Sequence, residues 1–343
     1  MRHLLALSLL LLATTLYAGS ADKRLDIYWI DVEGGAATLI VTPRGESVLI
    51  DTGNAGHRDP GRIVKVATEV AKLRQLDHVI ITHYHSDHFG GAPTLATLMP
   101  IKNVYDNAEF EGQKEFPSKD YKEFKAEKRV QISPGDEIPL AKPQLEDALA
   151  LSLRCLGTRQ KFITAPSGAA DSAALCASAK QKDRDGSDNA NSVVMLLTFG
   201  KWKFFDAGDL TWNIEEKLIC PKNLVGQVDV YQVTHHGLDA SNNPLVLKAL
   251  EPTIAIMNNG TTKGAAPEVF ANLKEQKSIQ AIYQMHKNLR PDGATNNTAD
   301  DFIANKEKDC AGDYIHLSVD PEGKTYTVKV PATKSEKTYK TRM

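Results

Sequence analysis

Past residue 24 the apolar residues fall in short β-rich runs, 26–31, 37–41 and 47–51, separated by Gly34-Gly35 and by Pro43-Arg44-Gly45. Runs of this length between turn residues predict an antiparallel meander. After the Gly53-Asn54 turn, Pro60-Gly61 opens a stretch in which Ile63, Val64, Ala67, Val70 and Ala71 recur with helical period, so a helix is expected to about residue 73. A strand over 77–82 and a short helix over 92–99 follow, with a His-rich run between them. The middle, 105–188, is harder to read: a charged segment at 114–128, a strand over 148–156 and a small-residue tract at 167–191. It is expected to be an insertion or lid over one mouth of the fold, or else solvated loop.

Beyond it the first rhythm returns. Strands are expected over 192–198, 202–206, 228–233, 253–257 and 278–284, with helices over 213–218, 244–250 and 267–276 and a two-stranded segment over 314–330. Two halves, each a set of strands followed by helices, predict an α/β fold in which two sheets pack back to back with helices outside.

The N-terminus changes where such a protein is expected to work. Arg2, an apolar run over 4–12 and small residues from Ala18 to Ala21 precede Asp22-Lys23-Arg24, the pattern of a signal peptide over 1–21. The run is shorter than the roughly 20 residues of a membrane span. An exported protein, periplasmic or secreted, with no integral membrane anchor after processing, is the expectation. Residues 22–343 then form a single domain, since no linker, repeat or low-complexity tract divides them. Loss of Arg2 takes the formal charge from -2 to -3, which disfavours nucleic acid as a partner without excluding a local basic patch. All four cysteines fall after the leader, and an oxidising compartment favours disulfides. Local pairing, Cys155 with Cys176 and Cys220 with Cys310, is expected, and the absence of CxxC spacing argues against a structural zinc knuckle.

The chemistry is concentrated in His83-Tyr84-His85-Ser86-Asp87-His88, which holds three of the chain's ten histidines. On a loop leaving a buried strand, imidazoles and a carboxylate at this spacing converge on cations. Asp209 follows the apolar strand through Phe204 and Phe205, and His235-His236-Gly237 follows the strand over 228–233. Adjacent histidines are expected to point different ways, so that one ligates and the other supports the site or meets substrate.

These residues resemble the metallo-β-lactamase superfamily, and within it the hydrolase domain of ComEC-type competence proteins and stand-alone secreted relatives. The resemblance rests on Asp31-Val32-Glu33-Gly34-Gly35, Ile50-Asp51-Thr52-Gly53, the His run, Asn191-Ser192-Val193-Val194, Ala207-Gly208-Asp209-Leu210 and Val233-Thr234-His235-His236-Gly237. It implies a four-layered αββα sandwich with two divalent metal ions, zinc or manganese, at the sheet edge. His83 and His85 would bind one metal, Asp87, His88 and His236 the other, and Asp209 both, with Asp51 orienting the His loop. The choice between His235 and His236 stays open. No histidine lies between His88 and His235, so the third imidazole that many members give the first metal is missing. Asn189 or Asn191 is expected nearby, and an oxygen-richer site admits manganese.

The expected activity is hydrolysis by a metal-bridging hydroxide. Asp87 is a candidate proton acceptor, and His235 or His286 a candidate donor to the leaving group. A phosphoester is the expected substrate. The alternatives are a β-lactam, lactone or thioester, and a non-catalytic metal-dependent binding module of the cell envelope.

Overall fold

In the computed structural model of the chain, residues 22–142 and 149–342 are described; the expected signal peptide over 1–21 lies outside them. The chain forms β1 (Leu25–Trp29), β2 (Thr38–Val41), β3 (Ser47–Ile50), β4 (Leu76–Ile80), β5 (Ile101–Asp106) and β6 (Lys128–Gln131) in its first third. Then come β7 (Leu151–Thr158), β8 (Lys161–Phe162), β9 (Val194–Phe199), β10 (Trp202–Asp206), β11 (Val230–Gln232), β12 (Ile254–Met257), β13 (Ala281–His286) and β14 (Ile303–Asn305). The C-terminal strands are β15 (Ile315–Val319), β16 (Thr325–Val330) and β17 (Ser335–Lys340).

Among the described residues these strands make two sheets, ordered β17-β16-β15-β1-β2-β3-β4-β5-β6 and β14-β13-β12-β11-β10-β9-β7-β8. The strand sequences explain why the sheets are the middle layers. In β1, Leu25, Ile27 and Trp29 face the other sheet, while Tyr28 joins the cluster under the outer helices. In β10, Trp202 and Phe204 face inward and Phe205 outward, and β12 divides Ile254 and Ile256 from Ala255 and Met257 in the same way. Strands buried on both faces tend toward continuous apolar runs, as β12 does, while β1 is interrupted by Asp26 and β10 by Lys203. The helix Arg58–Lys65, continued by a wider turn over Val66–Val70, and the helix Ala92–Leu98 cover one sheet. The helices Pro244–Leu250 and Pro267–Glu275 cover the other. The expected αββα sandwich is the architecture found.

The outer strands β6 and β17, Lys-Arg-Val-Gln and Ser-Glu-Lys-Thr-Tyr-Lys, are mostly exposed and charged, as edges that must not recruit further strands require. Two departures from the sequence reading concern topology. The C-terminal strands number three and return to the first sheet, β15 pairing antiparallel with β1 from Leu25↔Val319 to Trp29↔Ile315. Within 105–188 the expected strand over 148–156 is found as β7, and the chain also supplies β6 and β8 to the sheets besides its long loops.

The expected disulfide pairing is corrected. Cys176 is bonded to Cys220, while Cys155 and Cys310 are free. Cys155 lies on β7 inside the inter-sheet core, where it meets no other cysteine, and the Cys310 thiol faces Asp31.

Candidate metal centre

Strands β3, β4 and β5 run parallel, as do β10, β11 and β12. Open parallel sheets present their working residues beyond the carboxyl ends of such strands, and here the chemistry sits there. Asp51 follows β3, the His run follows β4, Asp209 follows β10 and the His235-His236 pair follows β11.

Asp51 takes a left-handed backbone (φ 61°). Its Oδ1 accepts the Thr82 amide at 2.8 Å, and its Oδ2 accepts the Thr82 hydroxyl at 2.8 Å and stands 2.6 Å from His88 Nδ1. One carboxylate thus fixes both the root of the His run and the orientation of its last ring. The run closes against Gly35, whose missing side chain makes room for the Asp87 carbonyl.

Asp209 is the hub. Its Oδ2 lies 3.1 Å from His88 Nε2, 3.2 Å from His236 Nε2, 3.5 Å from His235 Nε2 and 3.9 Å from His83 Nε2. Asp87 Oδ2 closes one side, 3.4 Å from His88 Nε2 and 3.3 Å from His236 Nε2. The ligand-type atoms of Asp87, His88, Asp209 and His236 all lie within 4.8 Å of one another.

The paired histidines do not diverge as adjacency suggests. His235 and His236 both hold left-handed backbone, φ 55° and 54°, with Gly237 at φ 82°. Such a conformation is uncommon for a residue with a side chain, and two in succession mark a built feature. Its effect is to aim both Nε2 atoms at the same carboxylate oxygen.

Most of the rings are anchored through the nitrogen they do not turn to the hub. His88 Nδ1 meets Asp51, His83 Nδ1 meets the Thr82 hydroxyl at 3.0 Å, and His235 Nδ1 meets the Ser241 hydroxyl at 3.1 Å. His85 differs: its Nε2 is held by Glu115 Oε2 at 2.9 Å, and its ring stacks edge-on with His83, centroids 4.7 Å apart. Glu115 also accepts the Asp188 amide, and Asp188 accepts the Tyr84 amide at 2.7 Å, which ties the loops of the middle region to the His run. The Asn189 amide stands 3.3 Å from His235 Nε2, whereas the Asn191 amide donates to Asp188.

Charge is distributed to suit a cation. Burial lowers His83 far below the ordinary imidazole range and also lowers His235, which disfavours charge on both rings. Burial works against charge on Asp209, but His236, His88 and His235 outweigh it and hold the carboxyl well below its usual range. His83 Nε2 is buried without a hydrogen-bond partner, and the Nε2 atoms of His88 and His236 face each other at 3.2 Å. Nitrogens so arranged around ionised carboxylates fit divalent cations of the nitrogen- and oxygen-binding kind.

His286 is not brought to this group. Its fully buried ring meets Asp31 Oδ1 at 2.6 Å, within a separate cluster of Asp31, Glu33 and Cys310. There Asp31 is also held by Arg62 at 2.7 Å, by the Glu33 amide and by the Cys310 thiol.

Sequence reasoning missed Glu115, Ser241 and Lys263, whose Nζ lies 2.5 Å from Asp87 Oδ2. Glu115 was hidden in a charged segment. Lys263 had a faint signal, a lysine in a tight loop between Gly260 and Gly264.

Residues 30–168 match the metallo-beta-lactamase superfamily model. A UPF0173 metal-dependent hydrolase of Cupriavidus metallidurans is 34% identical over 85 residues, 24% of this chain and 27% of that protein. Recombination protein 2 of Haemophilus influenzae is 26% identical over 236 residues, 67% of this chain and 24% of that protein. The chain spans about a quarter of the length of these curated relatives. Among solved structures, CmlA, a diiron beta-hydroxylase from Streptomyces venezuelae, superposes with a TM-score of 0.42 at 16% identity over 69% of this chain and 45% of that one. A metallo-beta-lactamase from Cronobacter sakazakii does so with a TM-score of 0.38 at 14% identity over 60% of this chain and 76% of that one. Over residues 30–168 the chain is thus similar to the metallo-beta-lactamase superfamily.

Proposed function

We propose that the protein is an exported, binuclear metal-dependent hydrolase acting on a phosphoester. The observation that carries the reading is the single oxygen, Asp209 Oδ2, ringed by the Nε2 atoms of four histidines at 3.1 to 3.9 Å. A carboxylate so surrounded suits a bridge between two cations better than a structural ion pair, which needs one partner. One metal would be held by Asp87, His88, His236 and Asp209. The other would be held by His83, His85 and Asp209, with His235 in the place of the missing third imidazole. Glu115 on His85 Nε2 leaves Nδ1 for that metal, as Asp51 on His88 Nδ1 leaves Nε2. Bound divalent cations supply a nucleophile from water at neutral pH and stabilise developing negative charge.

The chain's own residues set direction and access. The His83, His88 and His236 side chains are wholly buried, while those of His235 (10% exposed), Asp87 (18%) and His85 (29%) face the mouth. Substrate therefore meets the centre from that side. Asp87 is the carboxylate placed to accept a proton there. Thr82, Asp51 and Ser241 hold rings, not substrate. Leaving-group protonation falls to a group at the mouth rather than to His286, whose ring nitrogen is engaged by Asp31. The loops of 105–188 that carry Glu115 and Asp188 line one wall. Export is supported by the Cys176–Cys220 disulfide.

The test is metal content by elemental analysis of protein purified without added metal, followed by turnover of bis-p-nitrophenyl phosphate, a chromogenic cephalosporin and a lactone with zinc or manganese. Two metals per chain and turnover of the phosphodiester are expected. Two metals with turnover of the cephalosporin or lactone alone would refute the phosphoester reading, and two metals with no turnover would favour a binding module.

A further inference from the structure

Lys263 is placed with more care than a surface ion pair needs. Its loop is pinned by Arg290, which donates to the carbonyls of Thr262 (3.1 Å), Gly264 (2.5 Å) and Ala265 (3.1 Å) and is itself held by Asp292 at 3.0 Å. Asn296 adds a bond to the Ala265 carbonyl at 2.6 Å, and the Ala265 amide donates to His236 O at 3.0 Å. Gly264, at φ 78°, lies against the same His236 carbonyl, where a side chain would collide. The backbone carrying the ammonium is thus tied to the backbone carrying a candidate ligand, and Nζ reaches Asp87 Oδ2, an oxygen also facing His88 and His236. The Lys263 side chain is 39% exposed, so the ammonium lies at the mouth rather than in the core.

We propose that Lys263 is a substrate-binding residue that takes an anionic oxygen of the substrate, sharing Asp87 with the metal position. The inference rests on the hydrolase reading above and deepens it by assigning negative charge to the substrate. The argument is electrostatic. An ammonium and a dication that share one carboxylate oxygen repel each other across a short distance, and an anion between them relieves that repulsion. A neutral substrate gains nothing from the arrangement. It follows that removing the ammonium has opposite effects on the two ligands: the metal is held more tightly, because Asp87 is no longer shared, and the anion less tightly.

The experiment compares wild type, Lys263→Met and Lys263→Arg by calorimetry, first with zinc or manganese alone, then with inorganic phosphate added to the metal-loaded proteins. In Lys263→Met the metal is expected to bind about threefold more tightly and phosphate about tenfold more weakly, with Lys263→Arg retaining phosphate binding. In turnover, KM for bis-p-nitrophenyl phosphate should rise in Lys263→Met while KM for p-nitrophenyl acetate stays level. Unchanged phosphate binding in Lys263→Met overturns the proposal. So does an equal loss for anionic and neutral ligands accompanied by a lower Tm, the signature of a structural lysine. Phosphate binding needs no turnover, so a wild type that binds phosphate through Lys263 but hydrolyses nothing would refute the hydrolase reading while keeping Lys263 as an anion-binding residue.

Discussion

Replacing Asp51 by asparagine should cost metal affinity without costing the fold. Asparagine is among the side chains that best tolerate left-handed backbone, so φ 61° at this position is kept. Its oxygen can still accept the Thr82 amide that Asp51 Oδ1 accepts at 2.8 Å. Its NH2 group then faces His88 Nδ1, which stands 2.6 Å from Asp51 Oδ2. A donor there requires a lone pair on Nδ1 and moves the ring proton to Nε2, the atom turned toward Asp209 and His236. Binding a cation through Nε2 would mean reversing that tautomer and setting two N–H groups against each other. The other amide orientation restores an acceptor to His88 but leaves the buried Thr82 amide facing a donor, at a cost of about 1–3 kcal/mol. Either way the loss is about 10- to 100-fold in metal affinity, or about 1.4–2.8 kcal/mol. Chelator competition would measure it, beside the Tm of metal-free protein to verify the fold. Metal affinity within about threefold of wild type, with Tm unchanged, would refute the claim that Asp51 sets the tautomer of His88.

His236→Ala should remove one metal from the elemental count, because its ring faces both Asp87 and Asp209; His235→Ala should weaken the other site, and full affinity for both metals in that variant would sink its assignment as a ligand. Glu215 is lifted by burial from 4.5 to about 7, against the pull of amide bonds from Asn243 and Asn242. The unfolded chain releases that proton at lower pH than the folded one, so stability falls as pH rises from about 4.5 to about 7, by on the order of 3 kcal/mol. Glu215→Gln should flatten that fall in urea titrations across the window, and parallel curves for the two proteins would contradict it. Cys176 and Cys220 close a loop of 44 residues, so reduction should lower the unfolding free energy by about 2–4 kcal/mol; a midpoint unmoved by reductant would show the bond contributes nothing.

What could be read from the sequence follows from how each element is stabilised. Strands buried on both faces, such as β10, and helices opened by proline, such as Pro244–Leu250, carry their own signals and fall where the pattern predicts. Strand β6, Lys-Arg-Val-Gln, does not, because an edge strand is chosen for solubility and owes its conformation to its pairing with β5. The return of β15 to β1 was equally hidden, since pairing across nearly the whole chain leaves no local trace. The disulfide departs from local pairing because nearness in sequence is not nearness in space: Cys155 belongs to a strand whose interior face is filled by the core.

The candidate metal centre divides along the same line. Asp87, His88, Asp209 and His236 were legible because imidazoles and carboxylates at strand ends are rare enough to stand out. The positions that decide how those groups work were not. Both His235 and His236 reach the hub because two successive residues accept left-handed backbone, held by Asn242, whose amide donates to Thr234 O at 2.9 Å and Leu238 O at 3.0 Å. No periodicity encodes that, and straightening either residue would turn its ring away from Asp209. The apparent loss of a third histidine from the middle of the chain is therefore better understood as a relocation. The imidazole absent between His88 and His235 is available from the residue next to the candidate ligand His236, because the backbone there is bent far enough to bring both rings to Asp209.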